Sequence, residues 1–227
     1  MSENQDSMRL FCAACGVKNC ARLSNDPAKY PKGCPTAQGL AEEYKAWYQM
    51  DETDWIMART SARISPDHSE PRLLKTIHFA KDCGFTKIGF AFCMTLREQA
   101  QVVSRILTES GLDVYSVVCK VGCGDREFLG NGYSDKAMCH PIGQAMLLNQ
   151  AGTQLNIMMG LCVGHDSLFI KHSKAPVTVL AAKDHVYNNA PLEYLADYLR
   201  AKYPGREIHI PANVEEGKQA QTANQQS

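Results

Sequence analysis

Four cysteines near the start of the chain have a spacing that suits a metal centre. They are Cys12, Cys15, Cys20 and Cys34, and Pro35 follows the last of them. A gap of two residues lets two sulfurs turn toward one point, so four such thiolates can surround a metal ion or cluster. Structural zinc sites usually contain two close pairs, whereas a [4Fe–4S] cluster accepts one distant ligand that precedes a proline. The spacing therefore favours [4Fe–4S], with zinc as the alternative.

Basic side chains are concentrated around this N-terminal cysteine group. Between residues 9 and 34 a single acidic residue, Asp26, stands against five basic ones: Arg9, Lys18, Arg22, Lys29 and Lys32. Neighbouring cations stabilise the negative charge of a thiolate-bound cluster. The same pattern also fits solvated surface charge or a docking surface for an acidic partner.

Five further cysteines lie at or just beyond the ends of predicted strands, and we call them the edge cysteines: Cys93, Cys119, Cys123, Cys139 and Cys162. In a doubly wound sheet these positions meet outside the carboxyl ends of the strands, where such folds bind ligands. A strand order of 2-1-3-4 would place Cys93 and Cys162 on opposite sides of the crevice. We therefore predict that the edge cysteines bind a second cofactor.

Three residues at the same edge are candidates for catalysis, namely Cys123, His165 and Lys120. His165 could ligate a metal or donate a proton, or its role could be purely structural at the start of a helix. Lys183 ends the last predicted strand and could bind an anion there. Helix N-termini stabilise negative charge, so we expect lowered pKa values for three of the edge thiols, Cys93, Cys139 and Cys162.

Strands alternate with helices in the second half of the chain. Apolar strands are predicted at 87–92, 113–121, 155–161 and 177–181, with an edge strand at 207–210. Helices are predicted at 95–110, 141–152, near 166 and at 192–203, the first with a capping box of Thr95 and Glu98. Apolar strands separated by helices indicate an α/β fold with a doubly wound, mainly parallel sheet of four or five strands.

The predicted organisation has four segments. A small cysteine-rich metal knob covers residues 1–35, and a helical section, with helices at 36–50, 53–64 and 73–83, covers residues 36–85 and packs on the main domain. The α/β domain covers residues 86–211, and residues 212–227 form a disordered tail rich in Gln, Asn and Ala.

The composition of the chain argues against several classes of function. The chain has 227 residues, ten of them cysteine, and 24 basic side chains balance 24 acidic ones. Neutral charge argues against binding to nucleic acid or to anionic membranes. The polar start lacks a secretory signal, and no apolar run approaches the ~18 residues of a membrane span. We therefore expect a cytoplasmic protein whose thiols are reduced rather than paired in disulfides.

Several motifs resemble an uncharacterised prokaryotic family of cysteine-rich proteins, a domain of unknown function whose members are described as metal-binding. The motifs are GLCVGHDSLF at residues 160–169, CHPIGQA at 139–145, GFAFC at 89–93 and the Cys-x2-Cys-x4-Cys opening. The similarity extends from Leu10 to about Tyr203. It implies a metal-binding role, without an assigned reaction or catalytic residues.

Three hypotheses follow. The first is a cytosolic iron–sulfur oxidoreductase or sulfur-transfer enzyme, with [4Fe–4S] at the N-terminal cysteine group and a second cluster or metal at the sheet edge. It would act on a small molecule with an electron-transfer partner. The second is a non-enzymatic protein that senses or carries metal and has a structural four-cysteine zinc site. The third is a thiol-based redox protein without metal at the edge.

Overall fold

The computed structural model describes residues 10, 12–17, 19–21, 26–38, 40–130 and 137–205. The chain divides into two compact units, Met1–Ser69 and Glu70–Ser227. The predicted segment boundaries at residues 35, 85 and 211 stay predictions. The predicted strand at 207–210 and the tail at 212–227 lie outside the described residues.

The N-terminal unit consists of short turns followed by two helices. Its 3-10 turns are Cys12–Ala14, Asn19–Ala21, Pro27–Lys29 and Pro35–Gln38, and its helices are α1 (Leu40–Tyr48) and α2 (Glu52–Ile64). The Asp51 carboxylate caps α2 by accepting from the Asp54 amide at 3.0 Å. Among the side chains described in this unit, only Cys34 and Thr60 are buried. The unit therefore has almost no apolar core.

The second unit is an α/β layer. Its helices are α3 (Arg72–Asp82), α4 (Arg97–Glu109), α5 (Pro141–Ala151), α6 (His165–His172) and α7 (Glu193–Lys202). Its strands are β1 (Lys87–Phe92), β2 (Asp113–Val118), β3 (Leu155–Met159) and β4 (Val177–Ala181). In the described part of the chain these strands form one parallel sheet in the order β2-β1-β3-β4. The predicted fold class is confirmed, and the strand order is the one that would place Cys93 and Cys162 on opposite sides of the crevice.

The core lies around the two central strands. Every residue of β3 is buried, as are Ile88, Gly89, Phe90 and Ala91 of β1, because these strands have neighbours on both sides and helices on their faces. The outer strands β2 and β4 are only partly buried. Right-handed crossovers in this order place α4 on one face and α5 with α6 on the other. The sheet is thus covered on both faces.

Two local predictions differ from the structure. Strand β2 ends at Val118 rather than at residue 121, because the chain turns there and Gly122 adopts a left-handed φ of 83°. The predicted capping box at Thr95 is wrong: α4 begins at Arg97, and Leu96 holds the cap position without a side-chain bond. The Thr95 hydroxyl lies against the Cys93 thiol instead.

Helix α3 closes one side of the sheet through its first residue. The Arg72 guanidinium donates to the Val179 carbonyl at 2.6 Å and to the Thr178 hydroxyl at 3.2 Å. Both acceptors belong to the outer strand β4, whose exposed backbone is thereby partly covered. Within the described ranges, no helix has the length and apolar character needed to cross a bilayer.

Candidate functional site

The N-terminal cysteine group surrounds a single cavity. All four of its cysteines line this cavity, and the remaining lining residues are apolar: Val17, Pro31 and Pro35. Cys12 begins the first 3-10 turn, and its carbonyl accepts from the Cys15 amide at 3.1 Å, which brings these two residues together. Cys34 immediately precedes the last 3-10 turn, whose first residue is Pro35. The four predicted residues thus line one cavity, and their role as metal ligands stays a prediction.

Cys34 is the most enclosed thiol of the group. Burial by itself raises the pKa of Cys34, but hydrogen bonds from the backbone amides of Ala37 and Thr36 outweigh that effect. The Thr36 hydroxyl and the Cys20 thiol also contribute, so the pKa of Cys34 lies below its usual value. Cys20 is itself tied to Thr36, with 3.9 Å between its Sγ and the threonine Oγ1. These contacts favour a thiolate, the form that ligates metal.

Four thiolates are the donor set of a tetrahedral zinc site and of a [4Fe–4S] cluster alike. Within the described residues, however, no group of three or more His, Cys, Asp or Glu side chains is close enough together to hold a metal ion. Side-chain rotation at the cavity is therefore required for ligation. A cluster requires less convergence than a zinc ion, because each of its irons takes a different cysteine sulfur.

The predicted basic surroundings are described only in part. Lys29 forms an exposed ion pair with Asp26 at 3.9 Å, so one of the five cations is already matched by the single acidic residue. Arg9, Lys18 and Arg22 lie outside the described residues. The proposed effect of this charge on a cluster stays a prediction.

The second candidate site lies where β1 and β2 end. The backbone ladder continues past both strands: the Cys93 amide donates to the Met159 carbonyl at 3.1 Å, and the Cys119 amide to the Phe92 carbonyl at 2.9 Å. The His140 amide in turn donates to the Cys119 carbonyl at 2.8 Å, which holds the start of α5 against the same edge. Parallel topology thus brings cysteines from distant parts of the chain together.

The side chains of this edge make a defined set of contacts. The Sγ atoms of Cys93 and Cys119 are 4.0 Å apart. The Thr95 hydroxyl lies 3.3 Å from the Cys93 sulfur, and the Met94 amide donates to the Cys119 sulfur, also at 3.3 Å. The Lys183 ammonium donates to the Thr95 oxygen at 2.5 Å, which directs the threonine proton toward Cys93. Two donors in sequence, Lys183 and Thr95, therefore lead to the Cys93 sulfur.

The two facing thiols carry one proton between them. The Cys119 thiol donates to Cys93 and, although burial opposes it, lowers the pKa of Cys93 to about 4, with further help from Thr95 and Lys183. The same contact, followed by burial, raises the pKa of Cys119 far above its usual value. At neutral pH, Cys93 is the thiolate and Cys119 the thiol. The pKa of Cys93 is lowered as predicted, but by Cys119, Thr95 and Lys183 rather than by a helix N-terminus.

Cys162 behaves differently from the prediction. Burial raises the pKa of Cys162, and the negative charge of Cys93 raises it further, against the opposing effect of Lys183. The expected lowering of the Cys162 pKa near the start of α6 is therefore wrong, because burial and the nearby Cys93 thiolate both raise it. The charge of Cys139 also acts on Cys162 and on Cys119. Four of the edge cysteines thus share one electrostatic environment: Cys93, Cys119, Cys139 and Cys162.

Replacing Thr95 with valine tests how the Cys93 thiolate is held. The change keeps the side-chain shape but removes the hydroxyl donor, so the pH midpoint for alkylation of Cys93 should rise by about one pH unit from its value near 4. Peptide mass spectrometry after iodoacetamide pulses across the pH range measures this midpoint. Thr108→Val, which removes a hydroxyl that bonds only within α4, is the matched control. An unchanged midpoint in Thr95→Val would show that the hydroxyl plays no part.

The three predicted catalytic candidates have separate places. Cys123 lies on an exposed turn with a left-handed φ of 46°. The Lys120 ammonium donates to the Ala137 carbonyl and so ties the two ends of the loop that follows β2. His165 is half-buried at the first position of α6, where its amide bonds the Cys162 carbonyl at 2.9 Å. Their catalytic roles stay predictions.

One residue at this edge was not anticipated. Gln144 is fully buried, and its amide nitrogen donates to the Phe92 carbonyl at 3.3 Å and to the Val117 carbonyl at 2.7 Å. It therefore fastens β1 to β2 next to Cys93 and Cys119. Its Oε1 atom is buried and has no hydrogen-bond partner among the described residues. In the sequence, Gln144 could be recognised only as an amide side chain among the apolar residues of a helix that must pack on the sheet.

A family model and a curated relative match most of the chain. The model described as "Protein of unknown function (DUF1847)" covers residues 34–180, which include Cys34 and all the edge cysteines. The uncharacterized protein MJ0455 of Methanocaldococcus jannaschii is 39% identical over 204 residues, which cover 86% of this chain and 99% of that protein. No solved structure matches. The predicted resemblance to an uncharacterised family is confirmed, and the chain belongs to the DUF1847 family.

Proposed function

We propose that this protein is an iron–sulfur protein whose N-terminal unit binds a [4Fe–4S] cluster. The ligands are the four members of the N-terminal cysteine group, Cys12, Cys15, Cys20 and Cys34. The observation that carries the proposal is that all four thiols line one cavity although 21 residues separate the first from the last. Four sulfurs around one space are the full donor set of such a cluster.

The composition of the N-terminal unit supports a metal centre. Its described side chains include only two buried ones, Cys34 and Thr60, so burial of apolar surface contributes little to its stability. Small units without a core are commonly held by metals or disulfides, and none of the ten cysteines of this chain is in a disulfide. A bound metal centre would supply the missing stabilisation.

The walls of the cavity favour a cluster over a zinc ion. Val17, Pro31 and Pro35 give it an apolar lining, and such a lining limits solvent access and tunes the potential of an iron–sulfur centre. The distant fourth ligand and the proline that follows it also fit this type of centre. When bound, the cluster would supply one-electron transfer. Zinc on the same four sulfurs remains the rival assignment.

We also propose a second cysteine-lined site in the α/β unit, formed by Cys93, Cys119, Cys139 and Cys162. Their position at the switch point between β1 and β3 is where folds of this type bind small molecules. This position supports the predicted role as a redox or sulfur-transfer enzyme. The N-terminal cluster would then either take up electrons for the reaction or stabilise the fold. The cofactor predicted for this edge is not needed for the N-terminal assignment.

The test compares visible spectra of proteins purified without oxygen. Wild-type protein should be brown, with a broad absorption near 400 nm that dithionite bleaches, as thiolate-bound [4Fe–4S] centres are. Cys20→Ser should lose most of this absorption, because it removes one of the four ligands. Cys123→Ser, which alters an exposed cysteine outside the cavity, should keep it. Colourless wild-type protein with one zinc ion per chain would refute the cluster and support the zinc alternative.

A further inference from the structure

We propose that Cys93 and Cys119 are a redox-active dithiol that reduces low-molecular-weight disulfides. The proposal concerns the sheet edge alone and does not depend on the N-terminal cluster. It rests on the register of two strands, on the contacts of the two sulfurs, and on how deeply both are buried.

Strand register places the two cysteines directly opposite each other. The parallel pairing of β1 with β2 runs to Phe92 opposite Val118, and Cys93 and Cys119 are the next residues on each strand. Neighbouring strands lie about 4.8 Å apart, which falls inside the range of Cα separations that a disulfide spans. The sulfurs are 4.0 Å apart and need about 2 Å of approach to bond. Rotation of the two cysteine side chains can supply this approach, because Gln144 already holds the ends of β1 and β2 together.

The surroundings of the two sulfurs give them different roles. The hydroxyl of Thr95, oriented by Lys183, points a donor at Cys93 and suits a nucleophile that carries charge. Cys119 is 3% exposed and bonds the Met94 amide, so it is reached only from the side of Cys93. Cys93 therefore has the surroundings of an attacking thiol, and Cys119 those of a resolving thiol.

Burial limits the size of the substrate. Cys93 is 7% exposed, so a disulfide held within a folded protein would not reach its sulfur. A small, flexible disulfide can approach through the crevice between β1 and β3, on whose other side the half-buried Cys162 lies. The substrate class is therefore a small organic disulfide.

The reaction balances as two exchanges. The Cys93 thiolate attacks one sulfur of RS–SR, the substrate S–S bond breaks, and RS⁻ leaves while a Cys93–SR mixed disulfide forms. Cys119 then gives up its proton, which the departing thiolate takes, and attacks the Cys93 sulfur. The Cys93–Cys119 disulfide forms and the second RS⁻ leaves, to be protonated by solvent. Two electrons pass from the dithiol to the substrate, and an external dithiol restores the reduced pair.

Glutathione disulfide is the probe for the test. The full chain is incubated with it without oxygen, alkylated, digested and mapped by mass spectrometry. We expect a linked pair of peptides containing Cys93 and Cys119, with two glutathione molecules released per link. Cys119→Ser should instead accumulate glutathione on Cys93, and Cys93→Ser should give neither product. Cys83→Ser, which alters the half-buried cysteine at the end of α3, should react as the wild type does.

Three results would overturn the proposal. The first is that Cys93 and Cys119 remain free thiols after Cys123 has become glutathionylated in the same sample. The second is a link from Cys93 to Cys139 or Cys162 in place of Cys119. The third is a metal ion that stays bound through the pair, since a sulfur separation of 4.0 Å is also close to the ~3.8 Å of a tetrahedral zinc site.

Discussion

Replacing Cys34 with serine is expected to unfold the N-terminal unit and leave the α/β unit folded. Cys34 is one of the two buried side chains described in that unit, and it lines the cavity with the other three cysteines. Loss of one ligand should release the metal, and little apolar burial remains to hold the unit together. Limited proteolysis should cleave within Met1–Ser69 at least tenfold faster than in the wild type, with the α/β fragment persisting.

A second comparison separates loss of metal from loss of packing at Cys34. Wild-type protein stripped of metal by a chelator should show the same faster cleavage, although its side chains are unchanged. Cys123→Ser should be cleaved at the wild-type rate because Cys123 is exposed in the other unit. If stripped wild-type protein resisted protease as the metal-loaded protein does, the metal would have no structural role.

Replacing Gly89 with alanine should destabilise the α/β unit by about 3 kcal/mol. An added Cβ would lie 1.9 Å from the Asn156 Oδ1 and 2.9 Å from the Leu148 Cδ1, in the fully buried centre of the sheet. The Asn156 amide cannot move freely, since it accepts from Thr153 at 2.8 Å and donates to Ser173 at 2.7 Å. Urea unfolding followed by circular dichroism measures the change.

The matched control for this glycine is Gly16→Ala. Position 16 has nothing within 4 Å of an added Cβ, so its alanine should leave the unfolding of the α/β unit unchanged. A loss of less than about 0.5 kcal/mol in Gly89→Ala would mean that β1 and β3 can separate to admit the methyl group. The described packing of the central strands would then be wrong.

The fold and the meeting of the edge cysteines could be predicted from sequence for one physical reason. Parallel strands joined by helices have their carboxyl ends at one edge, so apolar strand patterns alone bring Cys93, Cys119 and Cys162 to the same side. The strand order 2-1-3-4 is one of the few that uncrossed, right-handed connections allow. Neither inference depends on the conformation of any side chain.

The contacts within the site could not be predicted, because they depend on residues far apart in the chain. Thr95 followed by Glu98 reads as a capping box, yet Lys183 and Cys93 engage the threonine hydroxyl once the sheet has formed. The pKa of Cys162 is raised by burial and then by the nearby charge of Cys93, and no local pattern reveals either effect. Gln144 likewise has a role only when β1 and β2 are side by side.

Chemical analysis of iron and acid-labile sulfide tests the central claim most directly. The protein is purified without oxygen, and both elements are measured per chain together with zinc. A [4Fe–4S] cluster on Cys12, Cys15, Cys20 and Cys34 predicts about four iron atoms and four sulfide ions per chain, both lost when any of these cysteines becomes serine. Zinc bound to wild-type protein with neither iron nor sulfide would contradict the account.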